Sequence, residues 1–390
     1  MPTRKKKFIG KRKKTGRYYD ISAIDSTGAD YRIIYGERSS GKTYQALKKV
    51  LEEYIKTGRP SVYARQQDSN FKYQDMRELF TGLTSNESGE NVLLDISNGV
   101  YDSVIYSAKR WYLAKSYYDD DGEIKYEKND EPFMYGIDLW SAISKKGPQY
   151  GPVKYYILDE FLNKDGYIAD EFSKFLNSIS TVKRNRNDLV IYMLGNTVTR
   201  FCPYFKEMGL KHIYDQEQGT IDVYEYTTKV PGVTMTVAVE YCDQHEVTKE
   251  SEIADRYFAF DNEDAKMITS GSWSFDTYPT LENQGITYKR EDIVIEFYIH
   301  FDDRIFEGDV VIQDDNEFCF IHEKFDHLYH DEDYLHYDLE ESVKRNYSSN
   351  IMKPRNGVEQ RIAHFFKTNK VFYSTREVGD MIFNFLNGCK

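Results

Sequence analysis

Eight consecutive residues, Gly36-Glu37-Arg38-Ser39-Ser40-Gly41-Lys42-Thr43, carry the chemistry that a polyphosphate needs. Glycines let the backbone wrap an anion, and amide N–H groups at the start of a helix bind it. A lysine reaches the terminal phosphates, and a hydroxyl joins the shell of a magnesium ion. Gly36, Glu37, Arg38, Ser39, Ser40, Gly41, Lys42 and Thr43 are therefore read as nucleotide-binding, with Thr43 also a metal ligand. A chance match in a chain this long is expected roughly one to two times in a hundred, so the setting is the sharper test.

The setting agrees. An apolar run, Arg32 to Tyr35, precedes the loop, and Ala46, Leu47, Val50, Leu51, Tyr54 and Ile55 follow it at helical spacing. Gly58-Arg59-Pro60 ends that helix, and Ser61 to Arg65 reads as the next strand, opening a β-α-β unit. Downstream, Tyr155-Tyr156-Ile157-Leu158 is a buried strand that ends in Asp159-Glu160. An aspartate there holds magnesium, and the glutamate beside it orients and polarises an attacking water. A GTPase would carry an NKxD guanine-reading motif, which is absent, so ATP with Mg²⁺ is the expected cofactor pair. Leu189 to Leu194 is a further buried strand ending in Gly195-Asn196-Thr197, and Asn196 at its tip is a candidate sensor of the γ-phosphate or the water. Arg184 and Arg186, just before it, are candidates for arginine fingers reaching a neighbouring subunit, against the alternative of a solvated loop.

These residues require an α/β, doubly wound, mostly parallel sheet to hold them. A helix at about 171–181 fits that alternation, while 92–140 breaks it with short Val-, Tyr- and Trp-rich runs read as inserted antiparallel strands. Within them, Tyr117 to Asp130 is expected to be a mobile acidic surface loop. After about residue 205 come short strands with acidic turns, including a hairpin of 293–301 with 309–315, a third strand at 317–323, and helices near 355–367 and 375–387.

The net charge of −12 over 390 residues hides an asymmetry. Residues 1–200 hold 33 Lys/Arg against 27 Asp/Glu, whereas residues 201–390 hold 19 against 37. Nine of the bases lie in the first 17 residues with no acid among them, the pattern of a disordered arm able to neutralise phosphates. Residues 251–350 carry 25 acids against 8 bases, which argues against a charge-driven grip on nucleic acid there. Cys202, Cys242, Cys319 and Cys389 form no CxxC pair, so neither a zinc ribbon nor a disulfide framework is expected. No apolar stretch is long enough to span a membrane, and the basic N-terminus has no signal-peptide core behind it. The expected division is a basic arm at 1–24, an ATPase domain at 25–246, a linker at 247–283 and a smaller domain at 284–390.

Seven segments in order, GERSSGKT, VYARQQ, LWSAISKKG, YYILDEF, VKRNRN, GNTV and CPYF, together with AHFFKTNKVFYSTREVGDMIFNFL near the end, resemble the encapsidation ATPases of φ29-like bacteriophages. The resemblance runs from about residue 31 to 386; the basic arm and the acidic insertion near 117–130 depart from it. It implies an ASCE P-loop ring motor related to large terminases, usually a homopentamer, docked on the portal or connector of a procapsid and driving viral double-stranded DNA into it. It further implies that Arg184 is the trans-acting finger, that Arg65 serves the phosphates, and that Lys72, Lys145 and Lys146 face DNA. Lysines suit that task because a moving motor needs register-free contacts to phosphate.

The same resemblance implies an α+β RNase H-like, vestigial-nuclease-type C-terminal domain, with a packaging RNA as a further possible partner and no membrane. Glu296, Asp302, Asp303 and Asp309 lie where a nuclease would carry metal ligands, but in so acidic a region they read as solvated surface, and no nuclease activity is expected. The competing functions are a large-terminase-like ATPase with a live nuclease and a non-motor nucleotide switch. The expected location is the host cytoplasm, transiently at the portal vertex and not in the mature virion.

Overall fold

A computed structural model of the chain describes residues 3–7, 19–36, 40–85, 89–141, 150–162, 168, 170–196, 202–210, 212–213, 216–242, 278–281, 286–302, 304–313, 316–324, 333–340, 342 and 344–389. Contacts divide it into two units, Met1–Asn163 with Tyr167–Trp273, and Lys164–Gly166 with Ser274–Lys390. Most of the expected linker lies outside the described residues.

The first unit is built on one mixed sheet. Its strands are β1 (Thr3–Lys7), β2 (Tyr31–Gly36), β3 (Ser61–Arg65), β4 (Ser103–Ser107), β5 (Arg110–Tyr118), β6 (Ile124–Lys128), β7 (Met134–Asp138), β8 (Tyr155–Asp159), β9 (Val190–Asn196), β10 (Thr220–Thr227) and β11 (Thr234–Tyr241). They lie in the order β1-β10-β11-β2-β9-β8-β3-β7-β5-β4, with β6 paired to β5. From β11 to β7 every neighbouring pair is parallel. Of these, β2, β3, β8 and β9 are buried on both faces over almost their whole length and are mostly apolar, as covered parallel strands are. Alternation then divides the core. Ile33, Tyr35, Val62, Ala64, Tyr156 and Leu158 pack on one face with Phe175 and Ile179, whereas Ile34, Tyr63, Ile157 and Leu194 pack on the other with Ala46, Leu47, Val50 and Leu51. Helix α1 (Lys42–Thr57) thus covers one side and α2 (Glu171–Lys183) the other. Gly58, left-handed at φ 70°, closes α1 by donating its N–H to the Tyr54 carbonyl at 2.8 Å.

Three readings of the sequence change here. The basic span was expected to be unstructured up to residue 24, yet Thr3–Lys7 pairs antiparallel with β10, and Tyr19, Ile21 and Ile24 are buried. The reason lies downstream: Tyr19 donates its hydroxyl to Glu240 at 2.7 Å, and Asp25 accepts from Arg32 at 2.6 Å and Tyr192 at 2.5 Å. Residues 8–18 lie outside the described residues. The acidic stretch expected as a loop is a hairpin in which Tyr118 pairs with Ile124 and Ser116 with Tyr126. It is at the surface, as expected: every residue of β6 is exposed, Tyr126 and Glu127 among them. The third change concerns Asp309, taken up below.

The second unit holds β12 (Ile293–Phe301), β13 (Arg304–Gln313), β14 (Asn316–Glu323), β15 (Leu335–Asp338), β16 (Tyr347–Ser348) and β17 (Val371–Tyr373), with helices α3 (Gly357–Lys367) and α4 (Arg376–Gly388). The order is β16-β15-β12-β13-β14-β17, antiparallel from β12 to β14 and parallel where β15 joins β12. Asn356 and Thr375 cap the two helices, accepting from Glu359 N at 2.9 Å and Val378 N at 3.2 Å. Acids read as solvated surface are not so at Asp309, which is 3 % exposed. Its strand is central to the sheet, and the face it occupies is covered. Glu296 and Asp302 are half-buried; Asp303 lies outside the described residues.

Candidate functional site

The loop leaves the sheet at Gly36, and backbone geometry explains both of its glycines. A Cβ on Gly36 would sit 2.7 Å from the Cβ of Cys242, so a side chain there would force β2 away from the segment after β11. Gly41 is left-handed at φ 91° immediately before the first turn of α1, where an L-residue is strained. Lys42 is buried and donates to the Gly36 carbonyl at 3.3 Å and to Ser40 Oγ at 3.1 Å. Its ammonium is thus held inside the loop by the described residues at the loop's two ends. Glu37, Arg38 and Ser39 lie outside the described residues.

Across the loop stands the end of β8. Thr43 Oγ1 lies 3.3 and 3.2 Å from the two carboxylate oxygens of Asp159, which is 6 % exposed. A hydroxyl and a carboxylate at this separation match the hard oxygen donors that magnesium takes, with room for phosphate oxygens and water to complete the shell. Tyr63 donates to Asp159 Oδ2 at 2.8 Å, and Arg65 donates to the Tyr63 hydroxyl at 3.1 Å. Burial and the neighbouring Asp159 carboxylate push the Tyr63 phenol well above its usual range, so it remains a donor. Arg65 also forms an ion pair with Glu160. Burial opposes its charge, but Tyr63, Asp159 and Glu160 outweigh that and raise its pKa.

Glu160 departs from the strand with φ 56°, a region that non-glycine residues enter only when the surroundings impose it. Its amide bonds to Asp159 Oδ1 at 3.0 Å. The turn places one carboxylate under the loop and swings the other into a cleft of about 430 Å³ lined by Thr43, Tyr63, Arg65, Lys72, Asp159 and Glu160 among others. Lys72 therefore shares the cleft with the acid pair. Lys145 and Lys146 lie outside the described residues.

Asn196 is the last residue of β9 and pairs in register with Gly36, while Leu194 pairs with Asp159. The β9 tip thus stands between the loop and the acid strand. The arginines separate by environment. Arg186 donates to the carbonyls of Val182 at 2.6 Å and of Val153 and Lys183 at 3.3 Å, closing the C-terminus of α2. Arg184 is exposed and strained, at φ 48° and ψ −120°. Arg186→Ala is expected to cost about 1 kcal/mol of stability, a drop of a few degrees in a melting scan, and to leave ATP turnover unchanged.

Several residues of the site escaped the sequence reading. Tyr63 shares a strand face with Arg65 at spacing two, and that alternation was the available signal. Glu171 accepts from Gln66 at 2.7 Å, Tyr204 at 2.7 Å and the Ile168 amide at 2.9 Å, tying the chain after Arg65 to the start of α2. Burial raises its pKa against those three donors. The Tyr19 amide donates to the Ser40 carbonyl at 2.8 Å, fastening the loop to residues read as an arm. Nothing local in the sequence announces either contact. Gly195 also has a packing duty, since a Cβ there would lie 2.8 Å from the Phe161 ring.

A phosphate-type loop between a strand and a helix, an acid strand two places away and a third strand between them define an α/β unit of the P-loop type. The comparisons then point to a narrower group. No family model matches the chain. A DNA packaging protein of Bacillus phage B103 is 24% identical over 186 residues, 46% of this chain and 47% of that protein, and one of Bacillus phage phi29 is 23% identical over 192 residues, 48% and 49% respectively. The chain spans about half the length of the curated relatives it matches. In fold it is similar to the gp11 DNA packaging motor of Phi-28, with a TM-score of 0.52 at 17% identity over 96% of this chain and 98% of that one. The likeness to φ29-type packaging proteins read from the motifs is thus borne out in both sequence and fold.

Proposed function

We propose that the chain is the ATP-hydrolysing subunit of a ring motor that drives viral double-stranded DNA into a preformed procapsid. The observation that carries the reading is Thr43 facing Asp159 beneath the loop, with Glu160 turned into the adjoining cleft. The likeness in fold, extending over both units, supports a packaging motor over a generic P-loop enzyme.

In this reading the amides of the loop and Lys42 hold the β- and γ-phosphates of ATP. Thr43 and Asp159 hold magnesium, which neutralises charge on the transferring phosphoryl group when bound. Glu160 takes a proton from the attacking water, Asn196 hydrogen-bonds the water or γ-phosphate, and Arg65 serves either the phosphates or Glu160. Arg184 reaches the site of the neighbouring subunit, so ATP closes an interface as well as filling a pocket. The ring is a homopentamer docked at the portal vertex in the host cytoplasm, with a packaging RNA as a further partner. Lys72, Lys145 and Lys146 track DNA phosphates without reading bases. The second unit is proposed to be a vestigial RNase H-like domain; its antiparallel β14-β13-β12 followed by parallel β15 and β16 supports this.

Purified protein mixed with procapsids, DNA and ATP should render DNA resistant to nuclease, with hydrolysis stimulated by DNA. Slow turnover indifferent to both DNA and procapsids would instead mark a nucleotide switch. Incubation with Mn²⁺ and supercoiled DNA should leave the DNA intact; nicking that disappears in Glu296→Ala would favour a terminase-like nuclease.

A further inference from the structure

The second unit carries a cluster of ligand-type side chains of its own. Glu307 and Asp309 occupy one face of β13, and His322 of β14 stands opposite Glu307 in the register. One ligating atom from each of the three falls within 4.8 Å of the others. Both acids are buried, at 7 % and 3 % exposure.

Three details of the polar geometry bear on what the cluster holds. His322 Nδ1 lies 3.2 Å from the Glu323 carbonyl, an acceptor, so Nδ1 bears the proton and Nε2 is directed elsewhere. Nε2 faces Asp309 Oδ2 at 3.6 Å, too far for a hydrogen bond, and that oxygen already accepts from the Tyr288 hydroxyl at 2.7 Å. Asp309 Oδ1 is buried with no hydrogen-bond partner among the described residues, an arrangement that is costly for a carboxylate.

A cation between the imidazole and the carboxylates, taking both oxygens of Asp309, accounts for the orphaned Oδ1 and for the spacing of Oδ2 from Nε2. Two ligands of one tetrahedral ion at about 2.1 Å each stand about 3.4 Å apart, close to the separation of His322 and Asp309. Imidazole with one N–H held by a carbonyl is the usual posture of a metal-bound histidine, and the Tyr288 hydroxyl is placed as an outer partner of the ligating carboxylate. Mixed nitrogen and oxygen donors suit a borderline transition ion better than magnesium. We propose that Glu307, Asp309 and His322 form a site for one divalent transition-metal ion of the zinc class, with the fourth position open to water. Lys324 bonds Glu307 Oε2 at 2.7 Å and so competes for that carboxylate, leaving Oε1 for the ion. The ion would bridge β13 and β14.

The full-length protein, stripped with chelator and free of nucleotide, is titrated with ZnCl₂ in a calorimeter. One saturable site is expected. His322→Gln and Asp309→Asn should each weaken it by at least about tenfold, whereas Lys324→Met, which removes the competing cation, should tighten it. Asp159→Asn, in the other unit, should leave it unchanged. If circular dichroism shows that Asp309→Asn has unfolded, His322→Gln and Lys324→Met decide the matter. Absence of saturable binding, or equal binding by wild type and folded His322→Gln, overturns the site; a proton shared by His322 and Asp309 would then explain the geometry.

Discussion

Glu160→Gln is expected to bind ATP as tightly as the wild type and to lose steady-state hydrolysis by a factor of at least about 100, the usual contribution of a general base. The amide is nearly isosteric and keeps a hydrogen-bonding oxygen, so neither the loop nor the Thr43–Asp159 pair is disturbed. What disappears is the capacity to accept a proton. The side chain is 53 % exposed and ion-paired with Arg65, and a carboxylate so paired is a poor base. Turnover then requires Arg65 to let go of Glu160, and that exchange is available only if the guanidinium has another anion to meet. Nucleotide binding measured by fluorescence and turnover measured by phosphate release separate the two effects. Full activity in the variant would remove Glu160 from the mechanism; lost binding would mean that the Arg65 pair organises the pocket rather than the chemistry.

The parts of this fold that are legible in the sequence are those where a local pattern and a tertiary demand coincide. A strand covered on both faces must be apolar throughout, so β2, β8 and β9 are visible as runs, and chemistry at their carboxyl ends marks Gly36, Asp159 and Asn196. The parts that escape are long-range polar contacts. Tyr19 is buried because of Glu240, 221 residues away, and no property of the basic stretch before it carries that information. Asp309 illustrates the converse error. Its region is so acidic that composition favours a solvated surface, while register in the central strand puts this one carboxylate under cover. Arg184 and Arg186 are two residues apart and chemically identical in sequence. The carbonyls at the end of α2 distinguish them, since they employ Arg186, while Arg184 stands at the helix end with an exposed side chain and a strained backbone.

That strain frames the other large effect. A non-glycine residue at φ 48° and ψ −120° costs of order 1–3 kcal/mol, and such positions persist where function holds them. If Arg184 completes the site of an adjacent subunit, Arg184→Ala should lower turnover by roughly 10³-fold or more while leaving nucleotide binding and melting temperature close to wild type. A trans role makes a sharper claim than loss of activity. Glu160→Gln rings lack the base at every interface and Arg184→Ala rings lack the finger at every interface, so each is inactive alone. Mixing them creates interfaces in which an Arg184→Ala subunit supplies Glu160 and its Glu160→Gln neighbour supplies Arg184. At equal proportions about one interface in four is whole, because head-to-tail contacts pair unlike surfaces of successive subunits. Hydrolysis should therefore reappear on mixing, in proportion to the product of the two fractions. An arginine acting within its own subunit could never be rescued in this way, since every subunit that keeps Glu160 would lack Arg184.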